Sequence, residues 1–265
     1  MSAGGIGVET HGNVGLIELQ APPHNFLQVA QVKAVADALE SFEEQPTIGA
    51  VVLAAQGRSF CAGANFGGQR SGDGGADTPA DRGTGGSPEE LYAQAARLCA
   101  AAVPMVAAVQ GPAIGGGLGL AMAASLRVTC PEARFSANFV RLGIHQGFGL
   151  SVTLPELIGP SKAALVLLSG RRFKGDEATE LGMADVCVPL EQVRDTAFEL
   201  ANEIAAGAPL AIRAINRTLR AGLADRVRAA TKHEAAEQAR LFQTEDAREG
   251  LASVSERRPG RFVGR

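Results

Sequence analysis

Two glycine-rich segments contain the residues whose types and spacing could do chemistry. Residues 57–65 (GRSFCAGAN) follow one β-rich run, and residues 111–120 (GPAIGGGLGL) follow another and lead into an apolar helix. Consecutive glycines at a strand-to-helix turn allow a tight backbone and the close approach of a ligand. They also leave the first N–H groups of the helix unpaired, and such groups stabilise negative charge.

The glycine turns alone leave several interpretations open. A nucleotide phosphate is one anion that binds such a turn, but residues 115–120 do not match G-x-G-x-x-G, and the chain has no P-loop and no G-x-S-x-G motif. A tight turn that only packs a helix closely explains the glycine triplet equally well. The cysteines form no C-x-x-C pair, so we predict neither a zinc site nor a disulfide framework.

Together, the two segments resemble those of the crotonase superfamily, which includes enoyl-CoA hydratases and isomerases. FCAGAN at 60–65 is followed about fifty residues later by GPAIGGGLGLAMAASLRV at 111–128. Further likeness lies at 22–27 (PPHNFL), 133–144 (ARFSANFVRLGI), 154–189 and 248–265. An ordered series over nearly the whole chain is a far more specific signal than one glycine-rich turn.

The resemblance implies an α/β fold, a crotonase-like spiral of ββα units over residues 1–189. It also implies a helical region at 190–265 that assembles the chain into a trimer or a dimer of trimers. The substrate would be an acyl-CoA thioester, with coenzyme A as part of the substrate and no separate cofactor or metal. The backbone N–H groups of Ala64 and Gly116 would form an oxyanion hole, which holds the thioester oxygen as it becomes an enolate. Substrate contacts are expected at His24, Phe26, Ala62, Asn65, Phe66, Phe139 and Gln146.

The sequence departs from this family at the positions of its acidic residues. Gly119 and Phe139 stand where hydratases have two glutamates, Gly147 stands near the aspartate of dehalogenase-like members, and Asn65 replaces another aspartate. Loss of general acid–base help typically costs roughly 10²–10⁴-fold in rate, so hydration by the two-glutamate mechanism is doubtful. His145 is a candidate proton carrier because imidazole titrates near neutral pH, although a structural histidine is the alternative.

Two functions therefore remain in competition. The first is an enzyme of the enoyl-CoA hydratase/isomerase type whose acid–base group is relocated or absent. The second is a relative that binds acyl-CoA without turnover. The glycine turns support binding in both cases, while the missing carboxylates favour the second function or a narrower reaction. The rings of Phe26, Phe66, Phe139 and Phe148 suit a bulky or aromatic acyl group, but equally suit ordinary core packing.

The elements that must position these residues follow from hydrophobic periodicity. We predict strands at 14–19, 48–54, 105–109 and 126–129, a helix at 29–44, and a helix at 88–102 that begins with Ser87-Pro88-Glu89-Glu90. Strand and helix alternate, which indicates a largely parallel sheet. Further helices are predicted at 190–206, 209–221 and 224–253. Residues 67–87 are rich in Gly, Asp and Ser and are expected to form a mobile loop, either a lid over a pocket or a disordered insertion.

Charge and hydropathy exclude other partners. The net charge of -3 and the lack of a basic stripe interleaved with aromatic residues argue against nucleic acid. No secretory signal is visible at the N-terminus, and no run approaches the roughly 18 apolar residues of a membrane span. We therefore expect a cytoplasmic protein that contacts no membrane.

Overall fold

The computed structural model describes residues 5–65 and 83–265 of the chain. Its strands, in chain order, are β1 (Ile6–His11), β2 (Val14–Leu19), β3 (Ala50–Ala55), β4 (Met105–Val109), β5 (Ala113–Ile114), β6 (Leu126–Thr129), β7 (Arg134–Ser136), β8 (Phe173–Lys174) and β9 (Val186–Cys187). The larger sheet has six strands in the order β1-β2-β3-β4-β6-β9. Only β1 and β2 pair in antiparallel fashion there, so the prediction of a largely parallel sheet is confirmed.

Among the described residues, helices pack on this sheet and dominate the second half of the chain. In chain order they are α1 (Val29–Glu43), α2 (Pro88–Ala100), α3 (Gly116–Met122), α4 (Leu150–Ser169), α5 (Gly175–Leu181), α6 (Val193–Ala205), α7 (Pro209–Leu219), α8 (Leu223–Leu241) and α9 (Glu245–Ser255). Short 3-10 helices occupy Asn138–Leu142 and Leu190–Gln192.

Strands β3 and β4 lie at the centre of the core. Their sequences, AVVLAA and MVAAV, are continuously apolar, as expected for parallel strands that are covered on both faces. Helix α1 packs against β2, and helix α6 packs against β3, β4 and β6. Helix α6, which follows the predicted domain boundary at 189/190, thus packs against the core of the first region. The division of the chain at that boundary stays a prediction.

Two helix predictions had different outcomes. The start of α2 is confirmed: Ser87 and Glu90 form a reciprocal capping box, with Glu90 N–H donating to Ser87 Oγ at 3.2 Å and Ser87 N–H donating to Glu90 Oε2 at 3.0 Å. The single helix predicted at 224–253 is wrong, because α8 ends at Leu241 and α9 starts anew. The Thr244 hydroxyl accepts from Ala247 N–H at 3.0 Å and caps the second helix.

Helix α4 is long and apolar but is broken near its middle. Among the described residues it is the one helix long and apolar enough to cross a membrane, a property that core helices of soluble proteins share. Its backbone breaks at Gly159, whose φ of 77° and ψ of 159° are not helical. Each half then extends about 15 Å, roughly half the thickness of a bilayer core.

The smaller sheet positions the second glycine turn. It contains β5, β7 and β8, with β5 parallel to β7 and β7 antiparallel to β8. Gly115 follows β5 directly, and its N–H donates to Ser136 O on β7 at 2.8 Å. The start of α3 is therefore held by a strand from a later part of the chain.

Candidate active site

The structure brings the two glycine-rich segments together. Cys61 forms a parallel bridge with Ala113, in which Cys61 N–H donates to Pro112 O at 3.0 Å and Ile114 N–H donates to Cys61 O at 3.0 Å. A Cβ placed on Gly117 would lie 2.1 Å from Cys61 O, so this approach requires glycine there. The two segments thus form one backbone surface.

The N–H groups of Ala64 and Gly116 are among those on this surface that have no backbone acceptor within the described chain. Gly116 is the first residue of α3, where an N–H has no partner inside the helix. Gly63, just before Ala64, has a φ of +78°, and a Cβ on it would lie 2.6 Å from Ile114 O and 3.8 Å from Gly116 N. Glycine at 63 therefore lets the two donors approach one another.

Both donor residues line a cavity of about 660 Å³. This volume lies within the range of small-molecule and cofactor sites. Of the seven substrate contacts predicted from sequence, five line the same cavity: His24, Phe26, Ala62, Asn65 and Phe139. Phe66 and most of the predicted mobile loop at 67–87 lie outside the described residues.

His145 and Gln146 do not belong to the described lining. His145 Nδ1 lies 2.8 Å from Gln146 O, and its ring packs edge-on against His233 with the centroids 5.6 Å apart. The Gln146 amide donates to Ser151 Oγ at 3.0 Å. Both side chains thus have other partners in this structure, and their roles at the site stay predictions.

None of the described residues that line the cavity is Asp or Glu. The position of Gly119 has no room for a side chain, because a Cβ placed there would lie 2.7 Å from both Cβ and Cδ1 of Phe148. Phe148 and Phe139 both line the cavity and are nearly buried. We call these two rings, with Gly119 beneath Phe148, the aromatic wall, and we call the N–H groups of Ala64 and Gly116 the donor wall.

Neither Cys61 nor Tyr92 supplies an anion to this cavity. Burial raises the pKa of the Cys61 thiol to about 12, which disfavours the thiolate, the nucleophilic form of cysteine. Burial, with the charge of Glu234, also raises the pKa of Tyr92. The Tyr92 hydroxyl donates to Gln238 Oε1 at 2.7 Å, and the Gln238 amide donates to His145 O at 2.9 Å.

Three arginines line the cavity: Arg134, Arg172 and Arg257. None of the ion pairs between described residues involves them. By contrast, Arg258 pairs with Glu249 and Glu256. The described lining therefore carries positive charge and no carboxylate, which suits an anionic ligand.

The cavity also holds an imidazole. His24 Nδ1 lies 3.2 Å from Ser59 Oγ, and its ring centroid lies 5.6 Å from that of Phe26. Among the described lining residues it is the only histidine.

Comparisons with known proteins agree on one family. Residues 9–265 match the family model described as enoyl-CoA hydratase/isomerase. The chain is 32% identical over 265 residues to the Mycobacterium bovis protein named "Probable enoyl-CoA hydratase echA8", with 97% of each chain covered. The crystal structure of an enoyl-CoA hydratase/isomerase from Pseudoalteromonas atlantica is similar with a TM-score of 0.83 and 25% identity, covering 98% of this chain and 100% of that one. A carnitinyl-CoA hydratase from Mycobacterium avium has a TM-score of 0.82 and 29% identity, with 100% of both chains covered.

Proposed function

The chain belongs to the enoyl-CoA hydratase/isomerase family, and from that premise we propose that it is an enzyme that stabilises the enolate of an acyl-CoA thioester. The thioester oxygen would lie at the donor wall, between the N–H groups of Ala64 and Gly116. The observation that carries the proposal is that these two donors come from separate segments, lack backbone acceptors in the described chain and line one cavity.

The chemistry of a thioester suits such a pair of donors. Removal of an α-proton, or addition at the β-carbon, moves negative charge onto the thioester oxygen. Preorganised donors aimed at that oxygen lower the barrier, and the loss of one such donor typically costs about 3–4 kcal/mol. The donors belong to the backbone and are held by the bridge between Cys61 and Ala113, so little reorganisation is needed as charge develops.

Coenzyme A supplies the anionic part of the proposed ligand. Arg134, Arg172 and Arg257 line the cavity without a carboxylate partner, and guanidinium groups match the geometry of phosphate oxygens. Coenzyme A is then bound as part of the substrate, and the proposal includes no separate cofactor.

The proposed reaction is proton movement next to the thioester, rather than hydration by two glutamates. Gly119 and Phe139 have no acidic group, and the described lining has no other carboxylate. The same absence favours a second candidate function, a relative that binds acyl-CoA without turnover. We assign the transferred proton to no side chain of the described lining.

An exchange experiment separates the two candidates. Purified protein is incubated in D₂O with saturated, 2-enoyl and 3-enoyl-CoA thioesters, while binding is measured by calorimetry and deuterium uptake by mass spectrometry. An enzyme that forms the enolate exchanges the α-protons of at least one thioester. Tight binding with neither exchange nor isomerisation of any of them would establish the non-catalytic function instead.

We also propose that the protein self-associates, as a trimer or a dimer of trimers, and acts in the cytoplasm. Apolar side chains on α7 support self-association, since Leu210, Ile215 and Leu219 are 76%, 60% and 79% exposed in the single chain. Large exposed apolar surfaces mark interaction sites. Light scattering on the purified protein measures the assembly, and a monomeric mass would contradict this proposal.

A further inference from the structure

The ring of Phe148 is fitted into α3 at the position of Gly119. A Cβ placed on Gly119 would lie 2.7 Å from Cβ and Cδ1 of Phe148 and 2.9 Å from Cγ. The ring also reaches the donor wall, because its Cδ2 would lie 3.8 Å from a Cβ placed on Gly116. Residues three apart lie on one face of a helix, so the ring covers the face of α3 that runs from the oxyanion donor to Gly119.

The backbone around Phe148 is fixed from both sides. Phe148 has a φ of 61°, a conformation that bulky residues rarely adopt and that the surrounding structure must enforce. Before it, a Cβ on Gly147 would lie 2.0 Å from Tyr92 Oη, and after it Gly149 N–H donates to Glu234 Oε2 at 2.9 Å. Contacts from α2 and α8 therefore constrain the backbone on both sides of Phe148.

We propose that Phe148 is a specificity-determining residue, whose ring contacts the first carbons of the acyl group and selects a planar, uncharged acyl chain. This inference rests on the proposed function, which places the thioester oxygen at Gly116. With the oxygen there, the α- and β-carbons lie within a few ångströms of the ring. Phe139 also lines the cavity, and neither ring offers a hydrogen bond to a hydroxyl or carboxylate on those carbons.

Two physical effects favour a planar, uncharged acyl group next to the ring. A conjugated acyl group is flat and stacks on an aromatic face, whereas a tetrahedral β-carbon with a hydroxyl does not. A hydroxyl that moves from water to an apolar wall without a partner also loses its hydrogen bonds to water. A planar enoyl or aromatic thioester is thus favoured over a 3-hydroxyacyl thioester of the same length.

The test measures dissociation constants for coenzyme A, crotonyl-CoA, cinnamoyl-CoA and 3-hydroxybutyryl-CoA. The ratio of each thioester to free coenzyme A isolates the contribution of the acyl group. Phe148→Leu keeps an apolar side chain but removes the ring, and we expect its preference for crotonyl-CoA and cinnamoyl-CoA over 3-hydroxybutyryl-CoA to fall by roughly three- to tenfold. Phe148→Ala serves as a second variant.

Phe42→Leu is the matched control. Phe42 is also buried against a glycine, since a Cβ on Gly15 would lie 2.7 Å from its Cζ, but it does not line the cavity. We expect its thioester ratios to equal those of the wild type. If both Phe148 variants fold and also keep the wild-type ratios, the inference is wrong while the proposed function stands. If the wild-type protein binds no thioester more tightly than free coenzyme A, the proposed function itself has failed.

Discussion

The donor wall and the aromatic wall border the same cavity but are built by different means. The donor wall uses backbone atoms, so its chemistry depends on where glycines allow two chain segments to meet and hardly on side-chain identity. The aromatic wall consists of the Phe139 and Phe148 rings, with Gly119 beneath Phe148, and it carries no ionisable group. If the donor wall binds a developing negative charge as proposed, the cavity combines that feature with a described lining that has no carboxylate to move a proton. Binding of the charge and transfer of the proton would then depend on different parts of the site.

The largest expected effect comes from removing one donor. Proline at position 116 has no N–H, and its backbone suits the first position of a helix. We expect Gly116→Pro to lower α-proton exchange by about 10²–10³-fold.

The control for this change is Gly116→Ala, which keeps the N–H. Alanine adds the same Cβ, which would lie 2.5 Å from Leu27 Cδ2, so it measures the steric part of the effect. Equal rates for the two variants, both folded by circular dichroism, would show that the Gly116 N–H is not the catalytic group.

The second effect concerns the fit between the aromatic wall and α3. Gly119→Ala adds a Cβ within 2.7 Å of two Phe148 atoms, and overpacking of this kind costs about 1–3 kcal/mol of unfolding free energy. In Gly119→Ala/Phe148→Ala the added methyl group still approaches the Cβ of residue 148 but no longer meets Cγ and Cδ1 of the ring, so the two changes should cost less together than the sum of the single costs. Urea denaturation measures all three variants. Additive costs would mean that Gly119 and Phe148 do not share this space.

The sequence predicted the backbone donors of the site but not the packing of Phe148 on Gly119. Ala64 and Gly116 were predicted because backbone donors follow from a motif, and the motif specifies the turns that expose them. The packing of Phe148 on Gly119 could not be predicted in the same way, because the pair is 29 positions apart and its contact depends on how the loop before α4 folds over α3. The sequence did carry a sign of that loop: Phe148 lies between Gly147 and Gly149, as a constrained turn often requires.

The C-terminal half shows the same limit for helices. The apolar spacing over 224–253 continues through the break between α8 and α9, so periodicity alone merged the two helices. Thr244 followed by Glu245 and Asp246 is a helix start that a capping argument would have found. Local polar signals thus locate helix boundaries that hydrophobic periodicity misses.

A smaller effect, on coenzyme A binding, is expected for an arginine that lines the cavity, and its neighbour in the sequence provides a matched control. Arg172 lines the cavity, whereas the Arg171 guanidinium lies 4.3 Å from the centroid of the Phe173 ring. If Arg172 contacts a phosphate, Arg172→Ala should weaken coenzyme A binding by about tenfold, as for the loss of one hydrogen bond to a charged group. Arg171→Ala should leave it nearly unchanged. Calorimetry at low and moderate salt measures the coenzyme A affinity of both variants. Equal losses of affinity would mean that the overall charge of the protein, and not a contact made by Arg172, causes the effect.

The smallest effect is expected for a substitution of His145. This substitution tests whether His145, the candidate proton carrier named from the sequence, transfers the proton. The ring packs on His233, its Nδ1 lies 2.8 Å from Gln146 O, and the residue does not line the described cavity. A group must come within hydrogen-bond reach of the proton that it moves, directly or through one water. We therefore expect His145→Ala to change stability slightly and α-proton exchange by less than about twofold, within the range of mutations that touch no reacting atom. A loss of about 10²-fold in the rate of α-proton exchange, with intact coenzyme A binding, would require the 145–147 loop to rearrange when substrate binds. The aromatic wall as observed would then be only one of two conformations of the site, and proton transfer would occur in the other conformation.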